Sequence, residues 1–186
     1  MIEMVEDTEK KIMDAAVKVF ARRGYDAAST DEIASKSGVS KGTIFLYFKR
    51  KDALIERVAL ASVPFAEVEE VLKKDYKDPE ELLFDVGVAF LNKYRVEDYR
   101  SLLIMSMAKK DQYRSINKRL KELCFNTMDK MFKRVEAMTG KPFPQPMRKA
   151  FFGSLLCYVI WWDYNETAPE AYCRELARGV LRSVNA

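Results

Sequence analysis

Apolar residues recur at helical spacing along almost the whole of this 186-residue chain, and no stretch alternates as a half-buried strand would. In the segment beginning at Glu9, the residues Ile12, Ala15, Ala16, Val19 and Phe20 fall on one helical face, and Gly24 stops the pattern. Ser29 followed three residues later by Glu32 reads as a capping box opening a short helix that Gly38 closes. Ser40 is the N-cap of the next helix, and Leu54, Val58 and Ala61 mark a fourth. Pro64 breaks or kinks the chain at the end of that fourth helix, because proline removes a backbone donor and crowds the preceding turn. Asp78 and Pro79 open a further helix carrying Leu82, Leu83, Val86, Phe90 and Tyr94. Others are expected over about 98–109 and 112–138. Gly140, Pro142, Pro144 and Pro146 form the clearest loop, an apolar helix comes next over 147–164, and Thr167 with Glu170 reads as a second capping box before the last one. The chain is therefore expected to be all-α, with about nine helices.

Composition narrows what such a chain can do. With 48% hydrophobic residues it can bury a sizeable core. It contains no histidine, which removes the usual general base and the commonest transition-metal ligand. No catalytic residue, metal or cofactor is expected, and the pairs Asp31–Glu32, Glu69–Glu70 and Glu80–Glu81 read as capping and solvated charge. Cys124, Cys157 and Cys173 lie far apart in apolar helical contexts, as buried free thiols of a reducing cytoplasm would. The start of the chain is acidic and lacks the apolar core of a signal peptide, and no apolar run is long enough to predict a membrane span.

The net charge of +4 is modest, but its distribution is not even. From Ile33 to Lys51 the charged residues are Lys36, Lys41, Lys49, Arg50 and Lys51, with no acid among them. Within that span Ile44, Phe45, Leu46, Tyr47 and Phe48 form a row of large apolar and aromatic residues. Two short helices, Thr30–Ser37 and Lys41–Phe48, joined at Gly38, reconcile the two features. Ala34 lets the helices approach, the glycine turns the chain, and Ile33, Val39 and Ile44 pack the pair together. Ile44 and Phe48 then face inward, while Gly42, Thr43 and Leu46 face outward beside a basic tail suited to phosphates.

The segment from about Lys10 to Leu54 resembles the TetR family of helix-turn-helix transcriptional regulators. Phe20, Gly24, Tyr25, Thr30, Ile33, Ala34, Gly38, Val39, Ser40, Gly42, Ile44, Tyr47, Phe48, Lys51 and Leu54 all fit that family's pattern. The resemblance implies a DNA-binding domain over 1–52, its motif at about 29–48, and a helical ligand-binding and dimerisation domain over 53–186. It implies that Thr30, Tyr47 and Lys51 meet phosphates, that Lys41 reaches a base edge or phosphate, that Gly42 allows close approach to the groove, and that Thr43, Phe45 and Leu46 meet base edges. Phe45 departs from the family's usual tyrosine and cannot hydrogen-bond a phosphate, so apolar contact, for instance with thymine methyls, is expected there.

Beyond Leu54 the sequence carries no motif. Phe84, Phe90, Met105, Phe125, Met128 and Trp161 are the candidates to line a pocket for a small, hydrophobic effector, although aromatic and methionine stripes also serve as plain core. The helix at 147–164 is apolar on nearly every side and needs cover on both faces. Phe151, Leu155, Tyr158 and Trp162, with Tyr172, Leu176 and Val180 of the last helix, are the candidate homodimer stripe, and either face of the earlier helix could turn inward. These expectations describe a cytoplasmic, homodimeric, ligand-responsive repressor of double-stranded DNA operators, not an enzyme. A helical small-molecule-binding protein or enzyme with a vestigial helix-turn-helix, and an activator of the same fold, are the rival readings.

Overall fold

A computed structural model describes residues 2–185. Among them it holds ten α-helices: α1 (Ile2–Arg23), α2 (Thr30–Ser37), α3 (Lys41–Tyr47), α4 (Lys51–Ala61), α5 (Phe65–Leu72), α6 (Pro79–Lys93), α7 (Glu97–Ala108), α8 (Arg114–Thr139), α9 (Gln145–Ile160) and α10 (Pro169–Asn185), with a 3-10 turn at Trp162–Tyr164. No strand occurs among the described residues. The tenth helix comes from Pro64, which closes α4 rather than kinking it. Ser62 donates its hydroxyl to the Ala59 carbonyl at 2.7 Å, and α5 restarts with the Val68 amide on the Pro64 carbonyl at 3.0 Å. The last helix opens on Pro169, so its cap is Ala168 and the expected box at Thr167 does not form; proline suits a first helical position, where no amide is needed.

The chain packs as two units. One comprises Met1–Val63 with Glu97–Asn117, the other Pro64–Val96 with Lys118–Ala186. This division differs from a cut after residue 52, because α4 and α7 both pack on α1. In the first unit Ile12, Ala16, Phe20, Ile33, Ile44, Leu54, Val58 and Leu102 are buried. Each large apolar side chain so removed from water contributes roughly 1.5–3 kcal/mol, which is how a frame of short helices is held. The periodicity of α1 puts its apolar face against α2, α4 and α7.

In the second unit α6 is central and packs on α5, α9 and α10. Gly87 allows the closest approach: a side chain there would meet the Cys173 sulfur at 3.0 Å. Burial pushes the Cys173 thiol up to about 12, so it behaves as a small core residue. Phe132 stacks on Phe143 with centroids 4.7 Å apart and meets Phe151 edge-on at 6.2 Å. Arg148 closes the loop before α9, donating to Glu136 at 2.6 Å and to the Phe143 carbonyl at 2.9 Å.

Candidate nucleic-acid interface

The two short helices of the first unit are set by local chemistry. Ser29 caps α2, accepting the Glu32 amide at 3.0 Å. Only half of the capping box forms, because the Glu32 carboxylate turns instead to Arg22 at 3.2 Å and Arg23 at 3.4 Å. Gly38 ends α2 at φ 71°, a left-handed conformation strained for any other residue. Ser40 then caps α3, accepting the Thr43 amide at 3.0 Å, and its Oγ also lies 2.8 Å from the Thr43 hydroxyl. That second contact restricts the rotamer of a side chain expected to meet a base.

Burial sorts the residues of α3 as their spacing predicts. Ile44 is 1% exposed and Phe48 is buried, so the helix is fixed from behind. Leu46 is 84% exposed and Phe45 40% exposed, with Lys41 and Gly42 exposed and Thr43 and Tyr47 half-exposed. Gly42 is instructive. A side chain there would meet nothing of the protein nearer than Ser40 Oγ at 3.6 Å, so packing does not require a glycine. Thr30 is half-exposed at the head of α2, and Lys49 and Arg50 are exposed beyond α3.

Two of the expected DNA-contacting cations are already held. Lys41 donates to Asp31 at 2.8 Å, and Lys51 to the Asp26 carbonyl at 3.0 Å. The Asp26 carboxylate in turn accepts from Lys109, from Gln112 at 2.9 Å and from the Tyr113 hydroxyl at 2.8 Å, three donors in the short connection between α7 and α8. Lys109 and then Tyr113 hold the Asp26 carboxyl below the usual carboxylate range. Beside it, buried Tyr25 shares a hydrogen bond with Ser106 at 3.0 Å and meets the Tyr113 ring edge-on at 5.5 Å. The roles of Asp26 and Ser106 had no signal in the sequence, since their partners stand about eighty residues away. Asp31 read only as a helix-start charge.

The C-terminal candidates divide differently from expectation. Phe151, Leu155, Tyr158 and Val180 are buried in the core of their own unit and present no free stripe. The reason is that α9 turns that face onto α6, as α10 does with Cys173, Ala177 and Val180. Gly153, Cys157, Ile160 and Trp161 at the end of α9 face outward with half-exposed Leu156, and Tyr172, Leu176 and Trp162 are half-exposed. Of the pocket candidates, Phe125 and Trp161 are exposed, Met128 is buried, and Phe84 lies under the Arg174 guanidinium at 3.6 Å. Phe90 is half-exposed and packs with Tyr94 at 5.3 Å and Phe152 at 6.1 Å. Met105 is half-exposed on α7, in the other unit. Cys157 is exposed, against the expectation of three buried thiols, and all three cysteines are free. Among the described residues no helix is long and apolar enough to cross a membrane.

Comparison with known proteins bears on the same segment. Residues 12–58 match the family described as bacterial regulatory proteins, tetR family. An uncharacterized HTH-type transcriptional regulator of Bacillus subtilis, YvkB, is 38% identical over 84 residues, covering 45% of this chain and 43% of the relative. The chain spans less than half the length of this and the further Bacillus subtilis relatives YuxN and YvdT, at 43%, 18% and 26%. Over the whole chain the fold is that of the fatty acid degradation regulator FadR from Bacillus halodurans, with a TM-score of 0.76 at 22% identity over 94% of both chains. FadR from Bacillus subtilis, solved in complex with stearoyl-CoA, has a TM-score of 0.69 at 22% identity over 92% of this chain and 97% of that one. With their capped helix-turn-helix and its outward face, residues 12–58 carry the domain of the tetR family of bacterial regulatory proteins.

Proposed function

We propose that the protein is a homodimeric, ligand-responsive transcriptional repressor, which binds a near-palindromic DNA operator and is released by a small, largely apolar effector. The carrying observation is the recognition face of α3: Leu46 and Phe45 stand exposed on a helix whose other side is locked by Ile44 and Phe48. A soluble protein gains nothing from such a face unless a partner covers it. The neighbouring cations Lys41, Lys49, Arg50 and Lys51 make a polyanion the fitting partner. On docking, Lys41 exchanges Asp31 for DNA, and Lys51 exchanges the Asp26 carbonyl for a phosphate. Thr30 and Tyr47 add backbone contacts, Gly42 admits the groove edge, and Thr43, Phe45 and Leu46 read bases. DNA contacts on this reading fall within residues 1–52, and effector binding and dimerisation within 53–186.

Two copies would set two α3 helices into successive major grooves about 34–36 Å apart. The outward stripe of α9, including Leu156, Cys157 and Ile160, with Tyr172 and Leu176 of α10, is the surface left for self-association once Phe151, Leu155 and Tyr158 are buried. FadR with stearoyl-CoA supports an effector with a long apolar portion for this fold, and a cytoplasmic place fits work on chromosomal DNA. Equilibrium binding to duplexes selected from random DNA, with sedimentation of wild type and Ile160→Glu, tests the reading. It requires a two-fold symmetric preferred site and a dimer that the charge disrupts. A monomeric wild type, or no preference among duplexes, contradicts it.

A further inference from the structure

The second unit contains a carboxylate oxygen that the protein leaves unused. Glu67 of α5 accepts one side-chain hydrogen bond: its Oε1 takes the Lys93 ammonium at 2.7 Å. Its Oε2 is buried and has no hydrogen-bond partner. A buried carboxylate oxygen without a donor is costly. Lys93, with its side chain 15% exposed against 38% for that of Glu67, already balances the charge. What the site lacks is therefore one donor, not another cation.

The surroundings define the rest of a ligand. The Tyr94 hydroxyl lies within electrostatic reach of both Glu67 and the Cys124 thiol. From Tyr94 an aromatic run leads away through Phe90, 5.3 Å off, to Phe152, 6.1 Å beyond. Phe90 and Phe152 each keep part of their rings uncovered, unlike fully buried Phe132 and Phe151. A polar end with one open acceptor thus continues into an incompletely covered aromatic wall.

Resting on the effector reading proposed for this unit, we infer that the effector is an amphiphile with a neutral hydrogen-bond-donating head, a hydroxyl or an amide N–H, which donates to Glu67 Oε2 while its apolar body lies along Phe90 and Phe152. A head that only accepts leaves Oε2 unsatisfied, and a carboxylate head sets a second anion against it.

Calorimetric titration of the full chain with 1-decanol, 2-undecanone and decanoate tests this. The alcohol should bind at least about tenfold tighter than the ketone or the acid, the gain of a hydrogen bond to a charged acceptor. Glu67→Gln should abolish the advantage of the alcohol over the ketone, since a hydroxyl and a ketone oxygen can both accept from an amide. Its carbonyl keeps Lys93, so its amide N–H₂ takes the place of Oε2 and now seeks an acceptor. Equal binding of alcohol and ketone by the unmodified chain overturns the inference, as a water on Oε2 would produce. So does a Glu67→Gln variant, folded by circular dichroism, that prefers the alcohol by the same margin as the unmodified chain, and so does failure of all three to bind. Duplex binding measured on the same samples separates the two proposals. Its absence refutes the regulator reading whatever the ligand order, and its presence with no ligand order refutes only the effector class.

Discussion

The helix-turn-helix and the α5–α6–α8–α9–α10 unit are both made of amphipathic helices, but they turn their chemistry in opposite directions. In the first, Ile44 and Phe48 lock a short helix from behind, and the informative residues Gly42, Leu46 and the lysines stand outside. In the second, the informative residues are inside: Glu67 Oε2 and Tyr94 are buried, and α9 turns its larger stripe onto its own core. A surface that reads a fixed polymer demands particular residues at particular spacings. An interior that takes a small molecule demands only a volume and a few polar atoms, which many sequences can supply.

This contrast can be broken most sharply on α3. Ile44→Ala should cost about 2–5 kcal/mol of stability, since it removes a fully buried side chain, whereas Leu46→Ala should leave the melting temperature unchanged. Chemical denaturation of both checks this; similar losses would mean that α3 has no free face. Leu46→Ala and Thr43→Ala should instead each cost on the order of 1–3 kcal/mol in binding the preferred duplex, with a broadened half-site in selection from random DNA.

Gly42→Ala sets the two properties against each other. It should raise stability by about 0.4–1 kcal/mol, because the site has room and the unfolded chain loses freedom, yet weaken DNA binding. A parallel gain in both would show that the glycine does not face DNA. Asp31→Asn should have the smallest effect: it frees Lys41 and strengthens duplex binding a few-fold at low salt, with the gain fading as salt rises. The Asp26 cluster adds a pH dependence. Its carboxyl titrates lower folded than unfolded, so its contribution is complete above the ordinary carboxylate pKa and is lost as pH falls through the depressed value. Asp26→Asn should flatten the acid limb of the stability profile, modestly because the group is half-exposed.

How much of the molecule was legible in its sequence divides along the same line. The caps at Ser29, Ser40 and Asp78, the turn at Gly38 and the inward pair Ile44 and Phe48 were readable because each depends on neighbours within a few residues. Pro64 was visible as a breaker, but whether it bends or ends a helix depends on the packing of the residues beyond it. Which stripe of α9 turns inward was not legible, because that helix is apolar on both faces and spacing alone cannot choose the one that meets α6. Nothing in the sequence marks Glu67 or Asp26, because their partners Lys93, Lys109 and Tyr113 are distant in the chain.

We propose that the acid-free basic run beside α3 is a phosphate-docking surface. Its most direct test is duplex affinity against salt for the unmodified protein and Lys51→Ala. Log affinity should fall steeply and linearly with log salt, and the substitution should reduce the slope by about 0.9 while weakening all sequences alike. An affinity indifferent to salt, or a Lys51→Ala variant that keeps the full slope and changes base preference instead, would contradict the account.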